Sequence, residues 1–252
     1  MDLEAFLTAE IYRSLLVFCR VGTALMVMPG LGEAQVPVQL RLMLALVLGV
    51  ALAHAVPGVP LQAPESLAPL VRAILIEVFV GFWFGAVARI LLASLHFLGH
   101  KIASVSALGN ALDGANVFEN GTIFSTLLTL SGVAIIFMAD IHHVAVTGLL
   151  GSYSLIPLGE LPSLSDFADQ GARAVAESFL MGFRFAAPFL ILGIIVNAGM
   201  GLANRVMPSL PVYFVAAPLL VGGGILLLLV TIATILLVFA DRYADWWLTF
   251  TF

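Results

Sequence analysis

The chain alternates long apolar stretches with short polar breaks. Six stretches stand out. They run from Ile11 to Met28 (ended by Pro29-Gly30), Leu40 to Val56 (ended by Pro57), Leu70 to Leu98, Thr122 to Ala139, Ala174 to Met200, and Val212 to Ala240. A helix needs about 20 residues to cross a bilayer, and each stretch is near or above that length. Val144 to Ile156 is too short to span and reads as a half-helix or an interfacial segment. Lipid admits only helices and closed barrels, because every backbone polar group must be satisfied internally. Barrel strands alternate polar and apolar residues at period two. The runs LILGIIVNAGM and ILLLLVTIATILLVF do not. The pattern therefore predicts an all-α, polytopic membrane-type protein, with residues 1–252 as one domain.

The connections differ in character. Residues 57–69, PGVPLQAPESLAP, are proline-rich and read as an extended loop. Residues 157–172 hold Glu160, Asp166 and Asp169 and no base, and Ser165 or Asp166 is placed to cap the following helix. Residues 106–121, SALGNALDGANVFENG, combine glycines and asparagines with Leu108, Leu112, Val117 and Phe118. Such a segment is flexible yet keeps apolar side chains to place against something. Residues 204–211, from Asn204-Arg205 through Pro208 to Pro211, read as a turn between two long apolar runs. Proline removes a backbone donor, and the residue before it also avoids the helix.

Composition agrees with the membrane class. Of 252 residues, 62% are hydrophobic and 10% charged, with mean hydropathy +1.12. Soluble domains carry about a quarter charged residues. Net charge is −5 with no basic stripe, which argues against nucleic acid as a partner. Cys19 is the single cysteine and reads as a small buried hydrophobe. The opening MDLEAFLTAE has acids before any base, so the first apolar stretch is expected to remain in the mature protein. Lys101, Arg173, Arg205 and Arg242 give no clear positive-inside signal.

The charges inside the apolar runs are the informative ones. Arg20 interrupts the first stretch, Arg41 opens the second, Glu77 and Arg89 lie in the third, and Arg184 in the fifth. A charge at bilayer centre costs at least about 2.5–3.5 kcal/mol. Such residues snorkel or pair internally, or they pair between subunits or line a water-filled path. Glu77 and Arg89 stand more than three helical turns apart, so each needs a partner from elsewhere. Gly81 and Gly85 in GFWFG have the spacing that lets helix backbones approach.

Catalytic chemistry finds little support. His96 and His100 share a helix face, a spacing that can bind metal, but no carboxylate accompanies them as in HExxH. Asp140, His142 and His143 read as a helix terminus at a water boundary. Ser104 and Ser106 lie near His100 without a nucleophile elbow. No phosphate-cradling glycine loop is present. Neither an enzyme nor a cofactor is expected.

Three blocks carry a resemblance. They are RVGTALMVMPGLGEAQVPVQLRLMLALVL at 20–48, IHHVAVTGLLGSYSLIPLG at 141–159, and GLANRVMPSLPVYFVAAPLLVGGGI at 201–225. In order and over nearly the whole length, they resemble the FliR family of flagellar biosynthesis proteins, equivalent to the SctT export-gate subunits of injectisomes. The middle departs from the pattern. Val105 and Ala107 stand where relatives carry glutamine and glycine, and Asp113 is followed by Gly114 rather than proline.

The resemblance implies a fold of long, kinked helical hairpins and a structural role. Such a subunit joins P-type and Q-type export-gate subunits as a single copy, together with the large switch-type export protein. The assembly forms a channel through which unfolded flagellar proteins cross the bacterial inner membrane at the flagellar basal body, with no small-molecule substrate. The family's plug loop falls on Ala107–Asn120, placing Leu108, Gly109, Asn110, Leu112, Asp113, Gly114, Asn116, Val117 and Phe118 in the closed channel. Arg205 either caps the preceding helix's carbonyls or contacts a neighbouring subunit. A stand-alone secondary transporter or permease is the competing reading. It requires paired broken helices around a midplane site.

Overall fold

The computed structural model describes residues 3–33, 36–56, 64, 66–105, 122–208 and 212–249. Among these are seven helices and no strands: α1 (Leu3–Val27), α2 (Val38–Ala53), α3 (Leu67–Val105), α4 (Ile123–Met138), α5 (Ile141–Leu155), α6 (Leu164–Val206) and α7 (Val212–Leu248). The all-α expectation holds. The six apolar stretches and the short piece each fall on one helix.

Six spanning stretches is too many. Among the described residues, three helices are long and apolar enough to cross a membrane: Leu67–Val105, Leu164–Val206 and Ala216–Leu248. A fourth counts if α4 and α5, interrupted at Ala139-Asp140, make one broken span. Glu10, Arg13 and Arg20 interrupt α1. With 16 residues, α2 is only about 24 Å long at 1.5 Å per residue.

The helix ends have local causes. After α1 the chain turns through Pro29 and Gly30, and Gly30 has φ 87°. At Gly32 a Cβ would lie 2.7 Å from the carbonyl oxygens of Met26 and Met28, so only glycine folds back so closely on the helix end. Thr122 caps α4 by accepting from the Ser125 N–H at 3.2 Å. Ser165 and Asp166 are not caps. They lie in the first turn of α6, where Asp166 meets the positive end of the helix. The turn after α6 also begins later than expected. Asn204 and Arg205 are still helical, and the helix stops at Val206, with Met207 outside it and before Pro208. The proline constrains its immediate predecessor, and its influence does not reach back to Asn204.

The chain forms two compact units. The first comprises 1–91, 140–175 and 243–252. In it, α1 packs on α2 through small residues. Ala45, Gly49 and Ala53 are the buried positions of α2, and a Cβ on Gly49 would sit 2.9 Å from the Phe18 Cα. Against α3, Gly85 would place a Cβ 2.8 Å from the Ala24 carbonyl oxygen, and Gly81 would collide with the Arg20 carbonyl and the Thr23 hydroxyl. The GFWFG spacing is thus a close helix crossing. Tyr12, Leu16 and Ala73 form a buried cluster, with Leu70, Ile74 and Leu158 against it. Aromatic rings fill the rest: Phe79 stacks on Phe167, and Phe84 on Trp247, at 5.8 and 6.0 Å between centroids.

The second unit comprises 92–139 and 176–242. Here α3 and α4 meet so closely that a Cβ on Gly99 would overlap the Ser125 backbone. Gly182 of α6 would place one 3.1 Å from the Ser94 carbonyl oxygen. Leu95, Leu98, Leu128, Ala186 and Phe239 are fully buried.

Candidate functional site

A dense, buried polar site lies inside the first unit. Arg20 of α1 and Glu77 of α3 are both completely buried. Arg20 Nε donates to Glu77 Oε2 at 2.6 Å and Nη2 to Oε1 at 3.2 Å, the two-pronged pairing a guanidinium makes best. Arg20 Nη1 donates to Ser152 Oγ of α5 at 3.1 Å, and Nη2 to the Ile156 carbonyl at 3.0 Å. The Gly159 N–H donates to Glu77 Oε1 at 2.8 Å. The Ser152 hydroxyl donates its own hydrogen bond to the Leu149 carbonyl at 2.6 Å. The guanidinium carbon lies 4.1 Å from the Tyr153 ring centre, a cation–π contact. One buried pair therefore ties three helices and the turn after α5. Gly159, at φ 75°, makes the turn that aims its N–H at the carboxylate.

Two further arginines hold residues on either side of the α1–α2 connection. Arg89 of α3 donates from Nε to the Val27 carbonyl at 3.0 Å. Its Nη2 lies 3.3 Å from Glu33 Oε1 and 3.4 Å from the Gly32 carbonyl. Val27 ends α1, so Arg89 serves as a C-terminal cap supplied by another helix. From α2, Arg41 donates to the Val36 carbonyl at 2.7 and 3.0 Å and to the Glu33 carbonyl at 3.1 Å. Arg13 donates to the Val56 carbonyl beyond α2. Glu77 and Arg89 thus do find separate partners.

The other singled-out residues are not gathered into these clusters. Arg184 is exposed on α6, and Asn204, Arg205 and Pro208 are exposed at its end. Arg184 and Arg205 have no ion-pair or side-chain hydrogen-bond partner among the described residues. The plug-loop positions Leu108, Gly109, Asn110, Leu112, Asp113, Gly114, Asn116, Val117 and Phe118 lie outside the described residues. His96 and His100 do face each other, with Nε2 atoms 3.1 Å apart.

Sequence reasoning missed Ser152, Tyr153, Ile156 and Gly159. All four lie in the block GSYSLIPLG, which pattern alone marks only as a short apolar piece. Two of them act through the backbone, which leaves no side-chain signature. Glu33 was equally unmarked, although it lies in the segment that the arginines hold.

The comparisons with known proteins cover nearly the whole chain. The pattern of the family described as bacterial export proteins, family 1, matches residues 11–246. The flagellar biosynthetic protein FliR of Caulobacter vibrioides is 33% identical over 245 residues, spanning 96% of this chain and 98% of its own. The chain belongs to the FliR family of bacterial export proteins. The FliR proteins of Aquifex aeolicus and Bacillus subtilis are 26% and 25% identical, each over 238 residues. The Aquifex match covers 94% of this chain and 92% of the relative. The Bacillus match covers 91% and 90%. The Arg20–Glu77 node and the arginine-held residues lie within the matched region, as do two of the three longest apolar helices and all but the last two residues of the third. This FliR-family chain carries its buried charge as a brace between helices.

Proposed function

We propose that this chain is a channel-forming subunit of the flagellar type III protein export gate. It assembles as a single copy with P-type and Q-type subunits in the bacterial inner membrane, at the flagellar basal body, and meets the large switch-type export protein. Unfolded flagellar proteins pass through the assembly. The chain contributes architecture and no catalysis. Residues Ala107–Asn120 act as the plug that closes the resting channel.

The observation that carries this reading is the end-to-end match to a relative named flagellar biosynthetic protein FliR. The outward residues support it. On α2, Leu40, Met43, Leu46, Val47 and Val50 are exposed, while only Ala45, Gly49 and Ala53 are buried. A helix too short to span, with so much apolar surface outward, needs lipid or another subunit against it. Arg184 and Arg205 point to the same need.

The test is co-expression with P-type and Q-type subunits, purification through a tag on this chain, and native mass spectrometry. One copy bound to several copies of both partners supports the gate. A stable partner-free monomer or dimer instead supports a stand-alone transporter.

A further inference from the structure

We propose that Asp140, His142 and His143 form a binding site for a divalent transition metal of the zinc class. The three residues sit at the start of α5, within the first unit. Their ligand atoms lie within 4.8 Å of one another. Among the described residues they are the only group of three or more histidine, cysteine or acidic side chains so converged.

Asp140 occupies the N-cap position of α5, and its ordinary role there would be to accept from the N–H groups of the first turn. It does not. The side chain makes no capping hydrogen bond. Its Oδ1 instead lies 3.6 Å from His143 Nδ1. Two ligands on a tetrahedral zinc, with bonds of about 2.0–2.2 Å, sit roughly 3.3–3.6 Å apart. The Asp140–His143 spacing is thus already that of two ligands on one ion. The His142 ring lies beside that of His143, with centroids 4.1 Å apart.

The backbone contributes to this convergence. Asp140 has φ 57° and ψ 18°, the left-handed conformation, and is the only described non-glycine residue with positive φ. Aspartate tolerates that region better than most residues. The turn brings the carboxylate back over a helix that begins with Ile141, leaving His142 and His143 in its first turn. The donor set of one carboxylate oxygen and two imidazole nitrogens suits zinc, and also cobalt, nickel or copper, far better than magnesium or calcium. Asp140 and His143 are exposed on the surface of this chain, which leaves an ion an approach from outside it and an open position for a further ligand.

The test uses the full-length chain in detergent, purified through a tag without histidines. The protein is stripped with a chelator, then titrated with zinc chloride against a chromophoric zinc indicator. Cobalt chloride, read in the visible, reports geometry. We expect one equivalent of zinc per chain, and at least tenfold weaker binding in both Asp140→Asn and His143→Gln. Asparagine tolerates the same backbone conformation, and both side chains are exposed, so the fold should survive. Matching helical circular dichroism and gel-filtration profiles check this. A His96→Gln/His100→Gln variant serves as control and should retain the equivalent. The proposal is overturned if the wild type binds no zinc, if the Asp140 and His143 variants bind as tightly as the wild type, or if only the His96/His100 variant loses the ion. None of these outcomes depends on the export-gate reading.

Discussion

Replacing Arg20 by methionine tests the buried node directly. The substitution roughly preserves the aliphatic bulk and removes the guanidinium. Glu77 then loses its hydrogen bonds of 2.6 and 3.2 Å and keeps only the Gly159 N–H at 2.8 Å. The Ile156 carbonyl also loses its 3.0 Å donor from Arg20. Breaking a buried pair by removing one partner costs about 3–5 kcal/mol, because the other charge stays behind. At about 2–4 °C per kcal/mol for a chain of this size, the melting temperature should fall by roughly 6–20 °C. The double variant Arg20→Met/Glu77→Leu removes both charges at once. It leaves the Ile156 carbonyl and the Gly159 N–H without these partners, at about 1–3 kcal/mol each if water cannot reach them. Its loss should therefore be clearly smaller than the sum of the two single losses, a coupling of at least about 1 kcal/mol. The assay is thermal unfolding of the four proteins of the cycle in one detergent, read by intrinsic fluorescence. A single-variant melt within 1 or 2 °C of wild type, or strict additivity across the cycle, would refute the argument that one buried pair braces α1, α3 and α5.

Other consequences follow from separate contacts. Gly81→Val should destabilise by at least about 1–3 kcal/mol, since even its Cβ would strike the Arg20 carbonyl and the Thr23 hydroxyl. Gly151→Ala, by contrast, meets nothing within 4 Å and should be neutral or stabilising by up to about 1 kcal/mol from helix propensity. The same melting assay reads both. Arg205→Ala should leave membrane insertion unchanged and weaken capture of P-type and Q-type partners by roughly 5–30-fold, the loss of about 1–2 kcal/mol of contact. A normal complex yield would count against a role at a subunit contact. Deleting residues 109–114 should leave the complex assembled but raise ion conductance of the membrane, measured electrically in planar bilayers. An unchanged conductance would argue against the plug.

The helices were legible because their apolar runs are long and their breaks are chemically sharp. Pro29-Gly30 ends one run, and α2 and α4 begin and end within three residues of theirs. Misplaced boundaries have a common physical origin. Hydrophobicity marks where a helix meets an apolar surrounding, while the hydrogen-bonded backbone continues through polar turns. Thus α3 continues past Leu98 to Val105, and α6 begins at Leu164, ahead of the apolar run at Ala174. Counting runs overestimated spans for the same reason. Apolar composition cannot distinguish the short α2, or α4 and α5 apart, from a full crossing. The need of Glu77 for a partner was legible from the cost of a bare charge. Its identity was not, because Arg20 is 57 positions away and the pairing exists only once α1 crosses α3 at Gly81.

That crossing also divides the embedded charges by task. Arg20 and Glu77 satisfy each other where water is excluded, and their geometry leaves the guanidinium no freedom to serve a passing substrate. Arg89, with 48% of its side chain exposed, and Arg41 spend their donors on the carbonyls of Val27, Gly32, Glu33 and Val36 and on the Glu33 carboxylate, so they shape that segment. Val36 then leads into α2, whose buried positions are Ala45, Gly49 and Ala53. Arginines that fix the segment thereby fix where the apolar outer face of α2 points. A subunit that presents such a face to lipid or to neighbours needs it in one orientation, and internal arginines achieve this without placing charge on the face itself. Arg184 and Arg205 are the complement. They are exposed and serve no carbonyl among the described residues, so their charge is not spent inside the fold.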